Sequence, residues 1–271
     1  MFKPEVLCLA PSEVFAFYQG GMTDVAFFQM LSATQRGGLA NLQLTLRTAE
    51  PLDIPRIEQL VCSRYGEALA REISPFDSYR YIKFGQVLLV EDVAGGLAAC
   101  VYQIGYEHPL RPSYLLRLVV RQDFENHGLA TVLNRLAAAL AYEQGSRSRH
   151  ALLSHANPAS LYVHLNKVGS YFRDLVDVPC DGIQNHFVSD RPLSAQGMVS
   201  NVINDNALLA LCDGDSLPAN WAVVNAMDLN TLRYLMRKQG LAVVAAIPRR
   251  PTGDAAGGQQ LLLTPMEHYR P

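Results

Sequence analysis

Cysteine is scarce in this chain, and what there is shows no pairing. The five cysteines, at positions 8, 62, 100, 180 and 212, have an odd count, no paired spacing and no metal-binding pattern. That argues against a disulfide framework. Cys62 and Cys100 sit in apolar runs and read as packed thiols of a reducing compartment. Long apolar runs are also missing: no segment approaches the ~18 residues that a membrane-spanning helix needs. The opening MFKPEVLCLAPSEVF carries one lysine, and Pro4, Glu5, Pro11 and Glu13 break its apolar run. It does not read as a signal peptide, so a cytoplasmic location is expected. Charge of either sign is thinly spread, with a formal net charge of −2. The densest basic groups, Arg147 to Arg149 with His150 and the pair Arg249-Arg250, are too short to form a nucleic-acid footprint. There is no internal repeat and no low-complexity tract.

What is present is ample core material. The chain has 271 residues, 49% of them hydrophobic, enough for one large or two modest domains. Its most informative stretch runs from Ser113 to Gly145. Tyr114 to Val120 is a short Leu/Val-rich run bounded by Pro112 and a polar cluster, the pattern of a buried strand. From Leu129 the apolar residues fall at Leu129, Val132, Leu133, Leu136, Ala137 and Leu140. That i, i+3, i+4, i+7 spacing predicts a helix, and Gly145 stands where a C-terminal cap glycine belongs. Between strand and helix lies the polar turn Gln122 to Gly128. A turn that brings Gly128 and the small Ala130 into the first turn of a helix lets backbone N–H groups approach an anion, typically a phosphate.

This stretch resembles the pyrophosphate loop of the GNAT acyltransferase superfamily. The family loop has Arg or Gln, two residues, Gly, one residue, then Gly or Ala. Here the six positions are Glu125, Asn126, His127, Gly128, Leu129 and Ala130. The preceding strand, the pair Asp123-Phe124, Gly128 and Ala130 match, while Glu125 departs: it is an acid where the family carries a base or an amide. A carboxylate beside a diphosphate is repulsive unless it points away. A second resemblance lies in LTLRTAEPLDIPRIEQLV from Leu44 to Val61, similar to the opening strand, turn and helix of the same fold. A third is SHANPASLYVHLNKVGSYF, where Asn157, Tyr162, Gly169 and Tyr171-Phe172 resemble the turn, helix tyrosine and closing glycine of the family. The tyrosine usually lies four residues before the glycine; Leu165 stands there, with Tyr162 seven before and His164 five before.

The resemblance covers roughly residues 42–193. It implies a mixed α/β (α+β) fold with a largely antiparallel sheet flanked by helices. It also implies acetyl-CoA or another acyl-CoA as co-substrate, held by main-chain groups from Asn126, His127, Gly128, Leu129, Ala130 and Thr131, with Asn157 nearby. A main-chain N–H near Val119-Val120 would meet the thioester oxygen, and Tyr162 or His164 would return a proton to the leaving thiolate. The acceptor would be a small-molecule or peptide amine. Base candidates are Glu91, Glu107, His108 and His155, none of them in a motif; Leu115, Leu116 and Arg117 occupy the strand start where many relatives carry a glutamate. A non-catalytic GNAT-like module is the alternative. An unrelated dinucleotide-binding fold is disfavoured because no acidic ribose-binding residue follows a second parallel strand.

Outside that span, Met22 to Thr34 reads as an N-terminal helix that packs on the main domain or on a partner, as in a homodimer. Residues 194–271 read as a small α/β appendage that extends the main sheet or packs on it. Its expected elements are a helix from Asp205 to Cys212, a helix from Leu229 to Lys238 and strands at 221–224, 241–247 and 260–264.

Overall fold

The computed structural model describes residues 44–84, 87–105, 112–180, 183–193, 205–213, 217–248 and 258–266. The expected N-terminal helix over 22–34 lies outside the described residues. The chain divides into two compact units, one made of Met1–Arg149 with Leu193–Met198 and the other of His150–Pro192 with Val199–Pro271.

Among the described residues, the first unit is built on four strands: β1 (Leu44–Thr48), β2 (Val87–Asp92), β3 (Leu97–Ile104) and β4 (Ser113–Val120). Each is antiparallel to the next. Three helices lie between β1 and β2: α1 (Ile54–Tyr65), α2 (Glu67–Ala70) and α3 (Pro75–Lys83). α4 (Leu129–Glu143) follows β4. Ile57, Leu60 and Val61, on one face of α1, pack with Ile82, Val87, Leu89, Tyr102 and Val119. α4 packs on β3 and β4 and buries Leu129, Val132, Leu133, Leu136, Ala137 and Leu140. Val87 to Val90 and Leu97 to Tyr102 are all buried. These strands therefore read as apolar runs rather than as alternation, as expected for strands covered on both faces.

Local chemistry sets the element ends. Ser74 caps α3 by accepting the Asp77 N–H at 3.1 Å, and Pro75 fits the first helical position, where no N–H is needed. α4 ends as Gly145 predicts. The glycine is left-handed at φ 93°, its N–H reaches Tyr142 O at 2.9 Å, and Ser146 N–H reaches back to Ala141 O at 2.9 Å. That pair of bonds is a Schellman motif.

The second unit has strand order β5-β7-β6-β9-β10-β8. These are β5 (Ser148–Ser154, its first two residues in the first unit), β6 (Tyr171–Cys180), β7 (Ile183–Pro192), β8 (Ala222–Asn225), β9 (Leu241–Ala246) and β10 (Gln260–Pro265). The helices are α5 (Pro158–Tyr162), α6 (Asp205–Asp213) and α7 (Leu229–Lys238). The C-terminal appendage extends the sheet: β9 pairs antiparallel with β6, Phe172 opposite Val243. α7 lies on β6 and β9, where Arg237 donates to Asp174 Oδ1 and Leu175 O, each at 2.7 Å. α6 seats Leu208 among Val244, Ala245 and Leu262.

One element differs from expectation in kind. The helix that carries Tyr162, which the resemblance implies to be a single helix closing at Gly169, runs as five α residues over Pro158–Tyr162, then as a π-helix over Val163–Lys167. From this turn Tyr162, Asn166 and Lys167 all reach Asp205. The mixed α/β class with a largely antiparallel sheet flanked by helices is as expected.

Candidate functional site

β4 carries a bulge. Its partners step from Tyr102↔Arg117 to Gln103↔Leu115, so Leu116 is the extra residue, and its side chain is exposed. Arg117 beside it donates to Leu69 O at 2.7 Å and to Glu72 Oε2 at 2.9 Å. Farther along, Arg121 N–H donates to Ala98 O at 2.8 Å. The alternation of an antiparallel ladder then commits the amide of Val119 to β3 and turns that of Val120 away from it. Val120 is thus the member of the expected pair with an N–H directed off its partner strand.

The turn after β4 is pinned by Arg121. Its guanidinium holds Asp123 through Nε–Oδ1 at 2.7 Å and Asp92 through Nη2–Oδ2 at 2.6 Å, and lies 4.7 Å from the centre of the Phe124 ring. Both carboxyls are held below their ordinary values, chiefly by those hydrogen bonds. Phe124 is buried beneath. A side chain at Gly96 would put a Cβ 2.7 Å from Arg121 Nη1, so the bare glycine keeps the β2–β3 turn open to this arginine.

Then come two left-handed residues, Asn126 at φ 63° and Gly128 at φ 84°. Gly128 is the N-cap of α4 and offers no side-chain cap; the first intrahelical bond is Val132 N–H to Gly128 O at 3.1 Å. The N–H groups of Leu129, Ala130 and Thr131 stand ahead of it with no intrahelical acceptor. Leu129 and Thr131 bury their side chains, Ala130 and His127 are half-buried, and Asn126 is exposed. An uncapped helix start of this kind, with the partial positive charge of the helix dipole behind it, suits an anion.

Glu125 does not stand in the turn as an isolated negative charge. Its Oε1 forms an ion pair with Nη2 of Arg64, from the last turn of α1. Arg64 was not among the expected site residues. The pair joins residues 61 apart in the chain, and the one available signal was the misfit acid, which calls for a cation nearby.

In the second unit, Asn157 is the N-cap of α5, its Oδ1 accepting Ser160 N–H at 3.1 Å. Tyr162 is half-buried and donates its hydroxyl to Asp205 Oδ2. Lys167 meets the same oxygen at 3.2 Å and lies 4.9 Å from the Tyr162 ring centre. Asn166 Nδ2 donates to Asp205 Oδ1 at 3.3 Å and to Ala246 O at 2.8 Å, while its Oδ1 accepts Ala246 N–H at 2.8 Å. Burial pushes the Tyr162 phenol up, and donation to Asp205 adds to the shift. For Asp205, burial acts upward but is outweighed by the bonds from Tyr162 and Lys167, and the carboxyl lies below its ordinary value. Burial would lower Lys167, yet its contacts with Tyr162 and Asp205 prevail and raise it. His164 is buried, 4% exposed, and its carbonyl accepts the Ser170 N–H at 2.9 Å. Asp205, Lys167 and Asn166 were not among the expected site residues; they converge through the π turn and through a helix some forty residues downstream.

The base candidates fare as follows. Glu91 is clamped by Arg47 through Oε1 at 2.8 Å and Oε2 at 3.0 Å. His155 Nδ1 shares a hydrogen bond with Asn185 O at 2.9 Å. Glu107 and His108 lie outside the described residues.

No protein-family model matches this chain, and no curated protein matches it. Solved structures do. Solved structures that resemble this chain include acetyltransferases. A chain of the NatC complex bound to Gag peptide and CoA is 14% identical, with 56% of this chain and 99% of that chain covered at a TM-score of 0.48. PaiA N-acetyltransferase from Thermoplasma acidophilum, in complex with coenzyme A, is 15% identical, with 55% and 98% covered at 0.43. A GNAT-family acetyltransferase from Listeria monocytogenes is 16% identical, with 58% and 98% covered at 0.42. No helix of the described residues is long and apolar enough to cross a membrane.

Proposed function

We propose that this chain is an acyl-CoA-dependent N-acyltransferase that moves an acetyl group from its thioester to a small-molecule or peptide amine, with residues 42–193 as the acyltransferase domain. The observation that carries the reading is the turn 121–131: a rigid strand end, a left-handed Gly128 and an uncapped 15-residue helix directly behind it. The ion pair with Arg64 supports it further, because it brings a cation to the acid at position 125. In the reaction the amine nitrogen attacks the thioester carbonyl, the C–N bond forms, the C–S bond breaks, and the amine proton is lost to a base or to water. The amide of Val120 is the candidate donor for the carbonyl oxygen as it gains charge. Tyr162 is the candidate acid for the leaving thiolate and His164 its competitor. A phenol raised by burial keeps its proton at neutral pH, as an acid must.

A second reading, a non-catalytic acyl-CoA-binding module, is favoured by one observation: the Tyr162 hydroxyl already donates to Asp205. Two measurements on the same protein decide. Acetyl-CoA at about 100 times its dissociation constant is expected to stabilise the fold by ~2.7 kcal/mol, read as a rise in melting temperature. Thiol release in the presence of an amine panel then reports turnover. A thermal shift without thiol release supports the module, and the absence of any shift at millimolar CoA contradicts both readings.

A further inference from the structure

We propose that Arg64 is a diphosphate-binding residue, held on Glu125 until the ligand arrives; this rests on the acyl-CoA reading above. The loop of this chain carries an acid at position 125, and the cation found there instead comes from α1. Arg64 sits one residue before the end of that helix, where Gly66 at φ 86° turns the chain and donates its N–H to Cys62 O at 2.9 Å. The backbone that presents Arg64 is therefore fixed.

The guanidinium is not saturated. It carries five N–H donors; Nη2 is on Glu125, while Nε is buried with no hydrogen-bond partner. The side chains of Arg64 and Glu125 are 26% and 38% exposed, so both face a region that a solute can reach. A planar guanidinium suits the paired oxygens of a diphosphate better than a single carboxylate, and a more highly charged anion outcompetes Glu125 for it. Arg117, on β4, has partners of its own in Leu69 O and Glu72. On this view Glu125 is a competitor: it stores Arg64 in place and sets how tightly the diphosphate must bind to take it.

The test compares CoA affinity by calorimetry across the full-length parent, Glu125→Gln, Arg64→Gln and the double variant, with melting temperatures as a folding control. Removing the competitor in Glu125→Gln is expected to tighten CoA severalfold. The double variant, which lacks both charges, is expected to bind about tenfold more weakly than Glu125→Gln alone, the loss of one charge-assisted contact. Pantetheine, which has no diphosphate, is expected to bind all four proteins alike in NMR titrations. If the double variant matches Glu125→Gln, Arg64 only neutralises the acid and the inference fails. If Arg64→Gln and Glu125→Gln weaken CoA and pantetheine equally, the pair merely braces the turn and the inference fails as well. If the folded parent binds no CoA, the acyl-CoA reading falls first and takes this inference with it.

Discussion

Arg47 bridges two carboxylates. Its Nη1 meets Asp53 Oδ2 at 2.6 Å and its Nη2 meets Glu91 Oε1 at 2.8 Å, while Arg56 adds a second contact to Asp53 at 2.8 Å. This cluster ties β1 and β2 to the start of α1. The Arg47 hydrogen bonds hold Glu91 well below the usual carboxylate range; for Asp53, burial acts upward but the same arginine outweighs it. A carboxyl with a depressed folded pKa contributes stability above its unfolded value and loses it as pH falls through the folded one. With unfolded values near ~4, that stability is complete at neutral pH and fades in more acidic solution. Asp53→Asn is therefore expected to cost about 2 kcal/mol at pH 7, with the gap to the parent narrowing in melts below pH ~3.5. An equal gap at pH 3 and pH 7 would show that charge is not what Asp53 contributes. Tyr162 carries the second residue-scale prediction. Tyr162→Phe removes a hydrogen bond to Asp205 and is expected to cost about 1 kcal/mol. If it is the acid, kcat also falls ~10²-fold while CoA affinity holds. If His164→Ala loses turnover and Tyr162→Phe does not, the acid is His164.

At the scale of elements, the strand–turn–helix from Ser113 to Gly145 decides the reading. Its period, Gly128, Ala130 and Gly145 are all local signals, and the strand and the helix lie where the apolar spacing predicts them. Gly128→Ala forces a Cβ into the left-handed region at φ 84°. The expected cost is about 1 kcal/mol, with weaker CoA binding as the turn readjusts. A variant as stable as the parent with unchanged affinity would show that the conformation of Gly128 is not what holds the loop. The π turn was not legible, because over ten residues a repeat of 3.6 cannot be told from a wider one by apolar spacing. Nor were the partners of Glu125 and Tyr162, Arg64 and Asp205, since side chains 61 and 43 residues apart leave no periodic trace.

At the scale of the whole molecule, the C-terminal region completes a sheet. β9 occupies an edge of β6, and Asn166 makes two hydrogen bonds to the main chain of Ala246, both at 2.8 Å. A chain ending at Leu193 leaves that edge open and uncovers Tyr171, which packs in the cluster around Leu208 and Val244. An unpaired edge beside apolar surface invites association. Such a chain is expected to elute as aggregate in size-exclusion chromatography. A monomer with a cooperative melt would show instead that residues 42–193 stand alone as a domain, as the resemblance in the sequence implies.

The most direct test of the acyl-CoA reading is a crystal structure of the full chain grown with saturating acetyl-CoA. The expected result is the diphosphate seated on the amides of Gly128 to Thr131, with N···O separations of about 2.7–3.2 Å. An ordered acetyl-CoA bound elsewhere, or this turn empty at millimolar ligand, would contradict it.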